Sequence, residues 1–248
     1  MDLLFDLGHS RLKWAGWAHG RLHAPGAAVW RGEPPAPFCE RLLADLDRPG
    51  RVAVAAVARG ELLSALQVAV HARWGCTVST PLAAARCGAV YSGYRDPAQL
   101  GVDRWAGLIG AWKRRPGQAA VVVDCGSAVT VDGLRADGQH LGGVIFPGLA
   151  MMAEAFYART RFAIHGAGTE ADLAATSTAD AVAAGARLAV LGGIERSLRV
   201  WCERLPRAAL WLTGGDAPTL APDLPATLQQ APYLVLEGLG QMLEREEK

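Results

Sequence analysis

The sequence predicts an α/β fold built from two related halves. Two observations carry this. A short apolar run ending in a carboxylate, then a glycine, occurs twice: Leu3 to Asp6 with Gly8, and Val121 to Asp124 with Gly126. Each is followed by a second strand, a turn and a third strand, and then by mixed helical and extended segments. The 248 residues suit one large domain or two joined halves.

The first half opens with a buried strand, Leu3 to Asp6, entering a tight turn at Gly8. Leu12 to Ala18 is the second strand, and His19-Gly20 turns the chain into Arg21 to His23. Pro34 to Pro37 reads as a loop. Val52 to Ala58 is an apolar strand, Glu61 to Arg73 a helix, and Cys76 to Ser79 a further strand. The second half repeats the opening with Val121 to Asp124 and Ala128 to Leu134. A turn at Ala136 to Gly138 leads into His140 to Ile145. Thr178 to Arg204 reads as a long helix, Ala209 to Thr213 as a strand, and Leu239 to Glu246 as a closing helix.

Bulk properties exclude several classes. Net charge is +1, which argues against a polyanion binder acting through overall charge, so no nucleic-acid partner is expected. The five cysteines are odd in number and widely spaced, with no CxxC pair. That pattern fits reduced thiols better than a disulfide framework or a structural zinc site. No basic-then-apolar leader is visible, and the apolar runs fall far short of the ~20 residues that span a bilayer. The expectation is a cytoplasmic protein without a membrane partner.

The two Asp-x-Gly turns are the chemically informative features. Glycine brings backbone amides close to a ligand, and Ser10 and Ser127 add hydroxyls. Such turns wrap phosphate oxygens, and their carboxylates bind the magnesium ion that accompanies a nucleotide triphosphate. Lys13 offers either a point charge toward phosphates or a solvated strand lysine. The other nucleotide routes are missing: there is no GxxxxGK[ST] and no GxGxxG after a strand. In Leu100 to Trp105, Gly101 marks a helix start with Asp103 and Arg104 in the first turn. Asp103 there either complements the helix dipole or acts as a general base beside a substrate hydroxyl, with Arg104 gripping an anion. Gly142 to Gly148 and Thr213-Gly214-Gly215-Asp216 are glycine-rich turns that permit close backbone approach to a ligand.

In order along the chain, these segments resemble the type III pantothenate kinases. Asp6 to Lys13 is similar to the first phosphate motif of that family, and Asp124 to Thr130 to its second. Tyr94, Pro97 and Leu100 to Trp105 resemble the pantothenate and catalytic motif. Gly142 to Gly148 resembles the GGxIxPG segment, Thr178 to Val182 with Gly185 the NTxxAIxxG helix, and Thr213 to Asp216 the adenosine-side glycine pair.

The resemblance implies an actin-like, ribonuclease H-like ATPase fold. It implies two similar domains, 1–115 and 116–248, each a mixed five-stranded sheet with flanking helices. It implies ATP-dependent phosphorylation of pantothenate, the first step of coenzyme A synthesis, with Mg2+ and a monovalent cation, K+ or NH4+. By carry-over, Asp103 is the general base. Tyr94, Gly101, Val102, Arg104 and Thr178 hold pantothenate. Asp6, Gly8, His9, Ser10, Lys13, Gly126, Ser127, Gly214 and Gly215 contact ATP. Asp124 ligates the monovalent cation and Asp6 the magnesium. A homodimer with its active site at the interface is implied as well. The chain departs from the family pattern at His9 and Ser177, where asparagine is usual, and at Ser127, where threonine is usual. The alternatives are a non-catalytic accessory protein, like the Bvg accessory factor relatives, and an actin-like kinase for another small alcohol.

Overall fold

The computed structural model describes residues 1–56, 60–160 and 173–245. The last two residues of the expected Val52 to Ala58 strand and the final residue of the expected Leu239 to Glu246 helix lie outside them.

The chain opens with a meander of β1 (Asp2–Leu7), β2 (Arg11–Ala18) and β3 (Arg21–Val29). β1 and β2 pair antiparallel with Asp6 directly opposite Lys13. The helix α1 (Pro35–Ala44) follows, where sequence reading expected a loop at Pro34 to Pro37. Proline is accepted in a first helical turn, because the amide it lacks has no intrahelical partner there. Next come β4 (Val52–Ala56), α2 (Glu61–Trp74) and the short β5 (Val78–Ser79). α2 stops at Gly75, which takes the left-handed conformation (φ +69°) that closes many helices. A small hairpin, β6 (Arg86–Cys87) and β7 (Val90–Tyr91), precedes α3 (Val102–Arg114).

The second meander is β8 (Ala120–Cys125), β9 (Ala128–Leu134) and β10 (His140–Pro147). It leads to α4 (Leu149–Arg159), α5 (Thr178–Arg204), β11 (Ala209–Thr213), the one-turn α6 (Ala217–Leu220), β12 (Gln229–Gln230) and α7 (Leu234–Arg245). The α4 and β12 segments were not anticipated, α6 stands where the Thr213 to Asp216 turn suggests a following helix, and α7 begins five residues earlier than expected.

The strand orders are β3-β2-β1-β4-β5 and β10-β9-β8-β11-β12, the same order with chain numbers displaced. β1 runs parallel to β4, and β8 parallel to β11. Each sheet is therefore mixed, and the duplication read from two turns extends through five strands. One compact unit comprises Met1–Gln118, Leu134–Gly142 and Tyr233–Lys248; the other comprises Ala119–Gly133 and Gly143–Pro232. Each has its own apolar core. Phe5, Leu12, Val54, Leu66 and Trp74 belong to the first, and Val123, Val131, Ile194, Leu198 and Leu212 to the second. In the first unit α3 lies against α7 at backbone contact: a Cβ on Gly110 or Gly238 would strike the facing helix. A two-pronged Arg114–Glu237 pair (2.8 and 2.6 Å) clamps the same helices. Among the described residues no helix is long and apolar enough to cross a membrane.

Candidate active site

The first acidic turn is fixed from outside its own sequence. Gly8 donates its amide to the Arg11 carbonyl (3.0 Å), closing the turn between β1 and β2. The Trp30 indole donates to the Gly8 carbonyl (3.0 Å), and the Trp30 amide donates to the Ser10 carbonyl (3.1 Å). His9 is exposed and Ser10 half-buried. Lys13 is only 9% exposed, so the solvated-lysine alternative is excluded. A buried ammonium requires a counter-charge, and Asp6 sits across the ladder from it. Burial pushes the Asp6 carboxyl up to about 6, against the pull of Lys13 and with a smaller push from the Asp103 charge. Asp6, Lys13 and Asp103 therefore share one electrostatic neighbourhood.

Asp103 stands in the first turn of α3, as expected. Its Oδ1 accepts the Arg104 amide (2.7 Å), which folds the carboxylate back over the helix start. Gly101 makes room for this: a Cβ there would lie 2.6 Å from that oxygen. Val102 is buried, so its side chain belongs to the core. Arg104 is 7% exposed. It donates from Nη1 to the Tyr94 hydroxyl (2.7 Å), and its guanidinium lies 5.5 Å from the Tyr94 ring centre. Tyr94 in turn stacks on His140, with ring centres 5.9 Å apart and planes at 13°. Tyr94, Gly101, Asp103 and Arg104 are thus brought together. Sequence reading had singled out neither His140 nor Trp30. Both act from a distance along the chain, and no spacing rule marks them.

The second unit holds the other predicted group. Gly126 donates to the Ala128 carbonyl (3.0 Å), closing the turn between β8 and β9 at the position matching Gly8. Gly148 donates to the Ser127 carbonyl (2.8 Å), and Asp216 to the Cys125 carbonyl (2.8 Å). The GGxIxPG end and the Thr213-Gly214-Gly215-Asp216 turn thereby both close on Asp124 to Ser127. Gly214 has φ +103°, and a Cβ on it would fall on the Cys125 carbonyl. Burial pushes the Cys125 thiol up to about 12, helped by the charges of Asp124 and then Asp216, so it stays a protonated, unreactive packing group. Asp124 pairs in register with Thr213 across β8 and β11. Among the described residues the buried Thr213 hydroxyl has no hydrogen-bond partner.

Thr178 is exposed at the start of α5. Ser177 caps that helix: its hydroxyl accepts the Asp180 amide (3.1 Å) and donates to the Asp180 carboxylate (2.6 Å). Serine and asparagine are comparably good caps, so this departure from the family pattern leaves the helix start intact.

A family model described as type III pantothenate kinase matches residues 2–200. A type III pantothenate kinase of Alkalilimnicola ehrlichii is 43% identical over 97% of this chain and 96% of its own length. Among solved structures, a Baf family protein from Campylobacter jejuni superposes with a TM-score of 0.57 at 19% identity, covering 99% of this chain and 98% of its own. The activator of 2-hydroxyisocaproyl-CoA dehydratase from Clostridium difficile, an ADPNP complex, gives 0.52 at 12% identity over 100% and 97%. The fold is that of the actin-like ATPases. By its matching model and its relatives over nearly full length, the chain belongs to the type III pantothenate kinase family.

Proposed function

We propose that this protein phosphorylates pantothenate at its primary hydroxyl with ATP, giving 4'-phosphopantothenate and ADP for coenzyme A synthesis. The observation that carries the reading is the start of α3. There a carboxylate pinned by the Arg104 amide stands beside a buried guanidinium that is itself held by Tyr94. A kinase acting on an acidic alcohol needs these two parts, a proton acceptor and an anion clamp.

Asp103 takes the hydroxyl proton as the alcohol oxygen bonds to the γ-phosphorus and the bond to the β,γ-bridging oxygen breaks. Arg104 and Tyr94 hold the polar end of pantothenate, with Gly101 and the backbone of Val102 at the open helix start. Because phosphoryl transfer passes through a loose transition state, positioning and charge neutralisation supply most of the acceleration. Gly8, His9, Ser10 and Lys13 on one turn, and Gly126, Ser127, Gly214 and Gly215 on the other, receive ATP. Asp6 suits the magnesium ion, since a carboxyl kept protonated to about 6 by burial regains its charge beside a dication. Asp124 suits K+ or NH4+, and the buried Thr213 hydroxyl supplies a second oxygen at the same register position. When bound, such cations neutralise phosphate charge.

The working form is a homodimer. α4 buries none of its residues and leaves Met151 and Phe156 exposed, and β10 is an edge strand with Val144 and Ile145 exposed. A second copy of the chain is the occupant that hides such a face, with Thr178 of the partner subunit completing the pantothenate site. Domain limits of 1–115 and 116–248 follow the duplication, and the cytoplasm supplies the ATP and potassium.

The test is ADP release by purified protein with ATP, Mg2+, K+ and pantothenate, repeated with Asp103→Asn and in sodium-only buffer. Turnover should need pantothenate and potassium and fall at least ~10²-fold in the variant. Turnover with another alcohol but not with pantothenate, or full activity in Asp103→Asn, overturns the reading.

A further inference from the structure

Tyr94 lies in a stretch with no helix or strand of its own, between β7 and the 3-10 turn Pro97–Gln99. Its backbone is tied locally, the Tyr94 amide donating to the Ser92 hydroxyl (3.2 Å). That bond leaves the ring free to turn about its side-chain torsions. Among the described residues, Arg104 and His140 bear on where the ring goes. Arg104 donates to its hydroxyl, and His140 lies nearly parallel to its face.

His140 is built for that place. It is 1% exposed, whereas most of β10 beyond it is exposed. Its Nδ1 accepts the Gly93 amide (3.4 Å), so the imidazole has a fixed edge. Gly93 is tolerated there because it has no Cβ: one would fall on the His140 carbonyl. The residues beside His140 fasten the same loop. Tyr91 donates to the Gly138 carbonyl (2.9 Å), and the Gln139 side chain donates to the carbonyls of Ser92 (3.4 Å) and His140 (2.9 Å). The segment around residues 138–140 is thus a wall bonded along 91–93, and the imidazole is the part of it that meets Tyr94.

We propose that His140 is a positioning residue of the pantothenate site: it fixes the plane of the Tyr94 ring, and through the Tyr94 hydroxyl it fixes the guanidinium of Arg104. The proposal rests on the reading of Tyr94 and Arg104 as pantothenate-holding residues. A loose Tyr94 ring weakens an acceptor that helps orient Arg104, so the clamp on the acceptor substrate weakens while the nucleotide turns are untouched. The signature is a split between the two Michaelis constants, which a merely structural histidine does not produce.

The experiment compares His140→Ala, His140→Phe and His140→Gln with wild type, measuring kcat, KM for pantothenate, KM for ATP and the melting temperature. His140→Ala should raise KM for pantothenate roughly tenfold, the scale of one aromatic pair plus one hydrogen bond. KM for ATP should stay within about twofold and kcat within about threefold. His140→Phe keeps a ring to stack and should recover most of the loss; His140→Gln keeps an acceptor but no ring and should not. Adding His140→Ala to Tyr94→Ala should change KM for pantothenate little, because the effect travels through Tyr94. An unchanged KM for pantothenate, equal rises in both constants, or Gln outperforming Phe overturns the proposal. If His140→Ala does not fold, the Phe and Gln pair still decides. The underlying reading fails separately, through a Tyr94→Ala variant whose KM for pantothenate matches wild type.

Discussion

Gly101→Ala separates catalysis from folding at a single methyl group. Gly101 caps α3 with φ −54° and ψ 133°, a conformation open to alanine. Its added Cβ would lie 2.6 Å from the Asp103 carboxylate oxygen. Ordinary carbon contacts begin near ~3.5 Å, so the carboxylate must retreat by roughly 0.9 Å, and the bond it accepts from the Arg104 amide (2.7 Å) must stretch or break. A misplacement of about 1 Å at a reacting group costs ~10²-fold in rate, and that is the expected fall in kcat. Stability should hardly move. Alanine is a poorer cap than glycine by up to ~1 kcal/mol, and it recovers about 0.4–1 kcal/mol by restricting the unfolded chain. Gly60 is the control, because it too caps a helix but has, among the described residues, nothing within 4 Å of an added Cβ. The assay is ADP release at saturating pantothenate and ATP, paired with thermal melting. Gly60→Ala should keep wild-type kcat. If Gly101→Ala keeps more than about a third of it, or if its loss is matched by a large drop in melting temperature, Asp103 is not held as argued.

Two further outcomes follow from the acidic turns. The folded chain holds the Asp6 proton to about 6, against an ordinary value of 3.8. The folded state therefore binds that proton more tightly than the unfolded state, so the associated stability is present below the ordinary carboxylate range and is lost as pH rises from about 4 to 6. The loss amounts to at most ~3 kcal/mol. Urea unfolding across that window should show the slope in wild type and a flatter one in Asp6→Asn; identical slopes would contradict the assignment. At the other turn, Gly214→Ala meets both a left-handed backbone (φ +103°) and the Cys125 carbonyl. It should cost ~1–3 kcal/mol and raise KM for ATP more than KM for pantothenate; a variant matching wild type in melting and in ATP titration rules out the crossing of these turns as a nucleotide platform.

Much of this was legible in the sequence because it is local. An apolar run ending in Asp-x-Gly declares a buried strand and a turn, and its recurrence declared the duplication that the matching strand orders extend. Asp103 and Arg104 were legible because Gly101 marks a helix start. The parts that escaped depend on distance or on weak local signals. Trp30 reaches Gly8 across 22 residues, and His140 reaches Gly93 across 47; neither separation follows a period. α1 escaped because its prolines suggest a loop until they are placed in a first turn, where they are harmless. α4 escaped for another reason: Leu149, Met151, Met152 and Phe156 spread apolar residues round the helix, so the one-sided stripe by which a packed helix is read is missing.

Duplication also shows how one scaffold position comes to sit in two electrostatic environments. Asp6 and Asp124 end equivalent strands of equivalent sheets, yet their neighbours differ in kind. Across the ladder from Asp6 stands Lys13, buried and cationic, so that turn carries its own counter-charge. On the parallel side the matching strands also differ: β11 sets Thr213, a neutral hydroxyl, beside Asp124 where β4 sets Ala55 beside Asp6, and Asp216 brings a second carboxylate to the neighbourhood of Cys125. The first turn thus carries an internal cation, whereas the second gathers negative charge beside a buried hydroxyl. The difference lies in the cross-strand partner and not in the Asp-x-Gly turn. Cross-strand neighbours, more than the motif, therefore set the electrostatic character of each turn.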